Sequence, residues 1–445
     1  MKKSTKTLII IAAVLVLTAI IVFGFTFKDL NTKNENSGTT SSSINNNSSG
    51  SIAQSETNIE VTYTSEETKG TYGDYTASVN LSSMSVSGSG VTISGTEIKI
   101  TAAGTYYFTG TASDANIVVE ADKDADVILV FDNANITSTN TAVINGIKAN
   151  SITINLAAGS TNTFTDSSTY TVFTEADEPN ATVFSKTDLV LNGSGKLIIN
   201  ANYKDGIASK DALKIVNTNI QVTSADDGIR GKDSITIKDS NITIKAAGDG
   251  IKSTSEEAEL GYVIIDGGTY TINSGDDGIH AAGMIVINDG TFNITAAEGI
   301  EATYVKINGG TINISASDDG INAANKSSYY SIAAEINGGY ITIKMGSGDT
   351  DAIDSNGNLY INGGTIDITG NSPFDYDGTA EYNGGTIIVN GTETNSITNQ
   401  FMGGGMNGGR QMNQNGGMMQ GEMPQGDFSQ GNMQNGSGRM QGGRR

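Results

Sequence analysis

From about residue 79 to residue 398 the chain is built of short runs in which apolar and polar residues alternate, the period of a half-buried strand rather than of a helix. The runs fall into columns. Leu213, Ile235, Val263, Ile285, Val305 and Leu359 are each followed two residues later by Ile215, Ile237, Ile265, Ile287, Ile307 and Ile361. Further along come Ile220, Ile242, Tyr270, Phe292, Ile312 and Ile366, and then Val222, Ile244, Ile272, Ile294, Ile314 and Ile368. Segments such as Gly267-Gly268-Thr269 and Asp239-Ser240-Asn241 separate the two pairs and supply bends. A third inward position is the Ile of a recurring D-G-I, at Ile207, Ile229, Ile251, Ile279 and Ile321. Three short strands in about 22 residues, repeated so that like stacks on like, predict an all-β parallel β-helix.

Two insertions, Ser253 to Gly261 and Ala323 to Ala334, both follow the D-G-I isoleucine. Loops kept to one side of a solenoid commonly wall a binding face. Residues 79–200 have the same short strands with a looser period and are expected to be the first coils and cap of the same solenoid.

The D-G-I step carries an acidic column: Asp205, Asp226-Asp227, Asp249, Asp276-Asp277, Glu298, Asp318-Asp319 and Asp351. One D-G needs nothing beyond a turn, but a paired D-D-G brings a carboxylate that the turn does not use. Like charges stacked about 4.8 Å apart repel one another. A hard cation with oxygen ligands relieves this, so Ca2+ is the expected cofactor, with Asp205, Asp226, Asp227, Asp249, Asp276 and Asp277 as its expected ligands. Three residues after the acids runs a second column in which Arg230, Lys252 and His280 are consecutive. These cations are positioned to balance the acids or to receive the carboxylates of a sugar chain. Tyr262, Tyr329 and Tyr330 lie in or beside the insertions and are expected to stack on sugar, whereas Tyr270 and Phe292 fall in the core column.

Composition sharpens the picture at the ends. Thr7 to Phe27 is an apolar run between Lys6 and Lys28, long enough to cross a bilayer. With Lys2, Lys3 and Lys6 before it, residues 1–28 are expected to be a signal anchor that leaves the body on the extracellular face of the cytoplasmic membrane. A cleaved signal would secrete the same body. Residues 29–78 are Ser/Asn-rich and expected to be a linker; 399–445 are Gly/Met/Gln-rich and expected to be a disordered tail. With no Cys the chain has neither disulfides nor a thiolate metal site. The net charge of −22 is concentrated in the body, which argues against nucleic acid as a partner. A monomer is expected.

Tyr203-Lys204-Asp205-Gly206-Ile207-Ala208-Ser209-Lys210-Asp211 and Ala225-Asp226-Asp227-Gly228-Ile229-Arg230-Gly231-Lys232-Asp233, with Thr187-Asp188-Leu189 and the early Gly104-Thr105-Tyr106-Tyr107-Phe108, resemble the clostridial carbohydrate-binding β-helix family. The resemblance covers about Val79 to Asn390. It implies a calcium-bearing right-handed coil, similar in shape to family 9 pectate lyases, that binds polygalacturonate and in some cases cellulose. The expected function is therefore calcium-dependent binding of an acidic, pectin-like polysaccharide at the cell surface. Two alternatives stand beside it. One is a pectate-type lyase with Lys232 or Lys252 as base and Arg230 stabilising the enolate. The other is a surface adhesin in which calcium only stiffens the coil.

Overall fold

The structure is a computed structural model and describes residues 59, 61–175, 177–348 and 350–399. The expected anchor, most of the linker and the tail from residue 400 lie outside the described residues, among which no helix is long and apolar enough to cross a membrane. The 33 strands, from Ala77–Asn80 to Thr392–Thr394, belong to one sheet wound into a parallel solenoid of about 12 turns. The coils before residue 200 belong to the same compact unit as the regular repeat.

Each apolar column becomes an inward stack. Leu213 pairs with Ile235, Ile235 with Val263, Val263 with Ile285 and Ile285 with Val305, all in parallel register. The D-G-I column runs Ile207, Ile229, Ile251, Ile279, Ile300, Ile321, Ile353 and Phe374. Between Val305 and Leu359 the structure inserts a coil whose inward residues are Ala334, Ile336, Ile341 and Ile343. The small Ala334 and the preceding insertion hide that coil in the sequence. Tyr270 and Phe292 stack inside at 4.5 Å with planes 6° apart, as their column position predicts.

The D-G-I glycine is fixed by crowding rather than by its own torsion. A Cβ on Gly228 would lie 2.6 Å from both the Gly250 carbonyl oxygen and an Ile244 methyl, so no side chain fits where one coil meets the next. The opposite bend is held by a ladder absent from the sequence reading. Asn308 Nδ2 donates to Asn288 Oδ1, Asn337 to Asn308, Asn362 to Asn337 and Asn383 to Asn362, at 2.8–2.9 Å.

Parallel pairing gives way to antiparallel hairpins at both ends: Ala77–Asn80 with Ser85–Gly88 and Val91–Ser94 with Glu97–Ile100 at the start, Thr386–Val389 with Thr392–Thr394 at the finish. These occupy edges that would otherwise be open to another chain. Residues 61–76, inside the stretch expected to be linker, pack lengthwise along one flank. Tyr63 donates to Asp266, Lys214 pairs with Glu67 at 2.7 Å, Asn192 Nδ2 reaches the carbonyls of Glu66 and Glu67, and Tyr75 stacks on Tyr107.

Ile265 is fully buried between Ile237 and Ile287. Ile265→Ala should lower the free energy of unfolding by about 2–5 kcal/mol in urea titrations followed by circular dichroism. Thr243→Ala, on the outward face, should change it by no more than about 0.5 kcal/mol.

Candidate functional site

The acid just before the turn glycine faces inward on four successive coils. Asp205, Asp227, Asp249 and Asp277 are all buried. The Oδ1 of each of the first three accepts the peptide N–H of the next acid: Asp227 N to Asp205 at 3.3 Å, Asp249 N to Asp227 at 3.0 Å and Asp277 N to Asp249 at 2.8 Å. These acids therefore have a structural task whether or not a cation binds. The first acids of the pairs, Asp226, Asp276 and Asp318, face solvent.

The cationic column stands in register beside them, with Ala208, Arg230, Lys252, His280, Glu301, Asn322 and Asp354 paired coil by coil. Its contacts divide the ladder in two. Lys252 Nζ sits 2.5 Å from Asp249 and 3.5 Å from Asp227. His280 Nδ1 lies 2.8 Å from Asp277 and 2.9 Å from Glu301, and Lys326, from the second insertion, reaches Glu301 at 2.6 Å. At the earlier end the neighbouring cation stands farther off, with Arg230 Nη1 3.8 Å from Asp205 Oδ2.

The titration of these groups follows from burial first. Burial, and then the Asp227 carboxylate, push the Asp205 carboxyl up to about 7, with Arg230 pulling the other way. Burial raises Asp227 too. Burial opposes the charge on His280, but its contacts with Asp277 and Glu301 outweigh that and lift the ring to about 9. Farther along, burial and the neighbouring Asp319 and Asp375 push Asp354 up to about 7.

Among the described residues, three groups of side chains have ligand atoms within 4.8 Å of one another: Asp205 with Asp226 and Asp227, Asp249 with Asp277 and His280, and Asp277 with Glu298 and Glu301. Lys252, His280 and Lys326 already balance the last two. The first offers three carboxylates against Arg230 at 3.8 Å and a Lys252 at 3.5 Å that it shares with the closer Asp249, and a Cβ on Gly248 would lie within 2.8 Å of its Asp226 and Asp227 oxygens. This all-oxygen donor set suits a hard cation. Asp276, expected among the ligands, is exposed and lies in none of the three groups.

Beside the first group is a cleft of about 220 Å³ lined by Asn180, Ala208, Ser209, Lys210, Arg230, Lys232 and Thr254. Asn180 joins the two, donating from Nδ2 to Asp205 Oδ2 at 3.1 Å while its buried Oδ1 has no hydrogen-bond partner. Lys210 and Asn180 were not singled out from the sequence. The repetition of Lys210-Asp211 as Lys232-Asp233 was the available signal; nothing in the repeat marks Asn180.

Of the two candidate bases, Lys232 is half exposed at the cleft. Lys252 is the wrong kind of group for a base: burial works against its charge, but Asp249 and Asp227 prevail and hold its ammonium above the usual range. Of the tyrosines, Tyr329 is 60% exposed and Tyr262 half-buried. Tyr330 is buried, its hydroxyl donating to the Leu260 carbonyl at 3.1 Å, so it ties the second insertion to the first instead of facing outward.

The family described as carbohydrate-binding domain-containing protein matches residues 94–352. A carbohydrate-binding domain-containing protein of Acetivibrio thermocellus is 44% identical over 208 residues, which cover 46% of this chain and 73% of that protein. A solved structure described as the polysaccharide lyase-like protein from C. thermocellum, a gadolinium derivative, is 28% identical and covers 70% of this chain and 96% of its own, with a TM-score of 0.42. The family match takes in the acidic ladder, the cationic column and the cleft between them, and on that span, more than half its length, the chain belongs to the carbohydrate-binding domain-containing family.

Proposed function

We propose that the chain binds an acidic polysaccharide of the polygalacturonate class through Ca2+ held at Asp205, Asp226 and Asp227. The observation that carries this reading is the meeting, on one edge, of three carboxylates whose cations, Arg230 and a Lys252 shared with Asp249, stand no closer than 3.5 Å, with a cleft lined by Lys210, Arg230 and Lys232. Calcium takes six to eight oxygens, more than three aspartates supply, which leaves positions for water and for a ligand's own carboxylate. Uronate carboxylates beyond the metal meet cations in the cleft, where Arg230 offers a bidentate fork. An acidic body can thereby hold an acidic polymer. With the expected apolar anchor in the membrane the site would lie on its outer face, on a monomeric coil of the right-handed sense that parallel crossovers prefer. The charged state of Lys252 weighs against it as a lyase base and leaves Lys232 for that alternative, which the ultraviolet absorbance of unsaturated uronates would reveal. The adhesin alternative requires calcium to stiffen the protein without any sugar being retained.

In chelator, the melting temperature should fall as pH rises from about 5 to about 8.5. Asp205 and Asp354 release their protons near 7 in the folded protein but near 3.8 when unfolded, so the stability present at low pH is lost as pH climbs through the folded value. His280 adds a loss of the same sign between 6.5 and about 9. Glu301, held low by His280 and Lys326 despite its burial, loses its contribution only in more acid solution. Calcium stabilises the charged form, so the rise in melting temperature on adding it should be larger at the upper end of the range. A melting temperature indifferent to pH and to calcium would contradict the proposed site.

Binding supplies the second test. Asp226→Asn, which spares the peptide-bonded acids, and Arg230→Ala should each weaken retention of polygalacturonate in affinity gels about tenfold, corresponding to loss of one charge-assisted contact. Excess chelator should abolish retention by the wild type. Lys245→Ala, on another face, should behave as wild type.

A further inference from the structure

Residues 166–180 form a loop that leaves the repeat just before the acidic group and carries two adjacent exposed apolar side chains, Val172 and Phe173, with Phe173 41% exposed. An exposed ring on a loose loop would mean little. This loop is fastened along its length. The peptide N–H groups of Thr171 and Val172 donate to the Asn140 carbonyl, and the hydroxyl of Thr141 donates to the Val172 carbonyl. Lys186 pairs with Glu175 and Glu178, and Lys210 of the cleft pairs with Glu178 at 2.8 Å.

Behind Phe173 the rings are set by a buried acid. Asp166 accepts the Tyr170 hydroxyl at 2.7 Å, the Thr182 hydroxyl at 2.9 Å and the Asn202 peptide N–H at 2.5 Å. Tyr170, held in this way, stacks on Tyr203 at 4.2 Å, and the Phe173 ring centre lies 6.5 Å from that of Tyr203 with the two planes 57° apart. Tyr203 is two residues before Asp205, and the Lys204 carbonyl between them accepts the Asp226 peptide N–H. Lys204 Nζ lies over the Tyr203 ring, 5.5 Å from its centre, and makes no ion pair among the described residues, so it can swing to a ligand carboxylate. The same loop ends in Asn180, which reaches Asp205 and lines the cleft.

We propose that Phe173 and Tyr203, with Lys204 beside them, form a sugar-stacking subsite that takes a uronate residue of the same polysaccharide chain adjoining the one at the acidic group. The apolar C–H face of a pyranose lies against the exposed Phe173 ring, with the inclined Tyr203 ring closing its side, and Lys204 receives its carboxylate. The platform, the Asp205–Asp226–Asp227 group and the Lys210–Arg230–Lys232 cleft lie in succession along the strand Asp205–Ser209 and its neighbours. A chain laid along them meets ring, metal and cation in turn. The subsite rests on the carbohydrate-binding reading above, but its ring contacts do not depend on calcium.

The test uses the full chain and polygalacturonate, in affinity gels and calorimetry, with calcium and with chelator. Phe173→Ala and Tyr203→Ala should each lower affinity about fivefold, the loss of one stacked ring, while Tyr203→Phe should keep wild-type binding and Tyr340→Ala, an exposed ring elsewhere, should have no effect. Circular dichroism and melting of each variant establish that it remains folded. Wild-type affinity in both Phe173→Ala and Lys204→Ala would overturn the subsite even if Asp226→Asn abolished binding, which leaves the calcium site standing. A loss confined to Tyr329→Ala would also overturn it, moving the ring contact to the second insertion. Binding that persists in chelator but falls with Phe173→Ala would uphold the subsite and overturn the calcium bridge.

Discussion

The structure depends on one close approach, the passage of each D-G-I turn over the next. Where a Gly228 Cβ would strike the following coil, the backbones come near enough for Asp205, Asp227 and Asp249 to accept the peptide N–H of their successors. The side chain that satisfies the next turn is thus the residue that repeats at that turn. Exact register follows, and register places every other residue of the repeat above its counterpart.

That economy has an electrostatic cost, because the acid that serves the turn must stack on its own kind inside the protein. The chain meets the cost differently along its length. From Asp249 to Glu301 it supplies Lys252, His280 and Lys326 from its own side chains. At Asp205, Asp226 and Asp227 it supplies less, a Lys252 shared with Asp249 and an Arg230 that also lines a cleft open to solvent. The repeat builds a uniform rail, and departures from the repeat make one part of it chemically distinct. Gly248, Asn180 and the loop of residues 166–180 are all such departures.

This division explains what could be read from the sequence. The inward columns, the Gly at each turn, and the stacking of Tyr270 on Phe292 were legible because a two-residue alternation and a 22-residue repeat have only one packing consequence here. The coil through Ala334 and Ile341 was obscured, since an insertion broke its spacing and alanine left its first position faint. Asp227 and Asp226 looked alike in a D-D-G, yet one turns inward to a peptide and the other faces water, a distinction that belongs to the coil's curvature. Lys326, Asn180 and Phe173 escaped notice because each comes from a segment outside the regular repeat and reaches its place only through the fold. The orientation of Tyr330 was hidden for the same reason, its partner being the Leu260 carbonyl of another insertion.

The segment 61–76 gives the solenoid a mechanical character. Starting from the chain's N-terminal side, its contacts run backward through the repeat, from Asp266 to Lys214, Asn192 and Asn155 and on to Tyr107. A pull transmitted from residues before it meets first a tie to the middle of the stack. The first coil is loaded only after Tyr63, Glu67 and Tyr75 have been peeled away in order. A pull on residue 61 is borne as shear across several coils, so the end of the solenoid where unwinding would be easiest is the last to feel it.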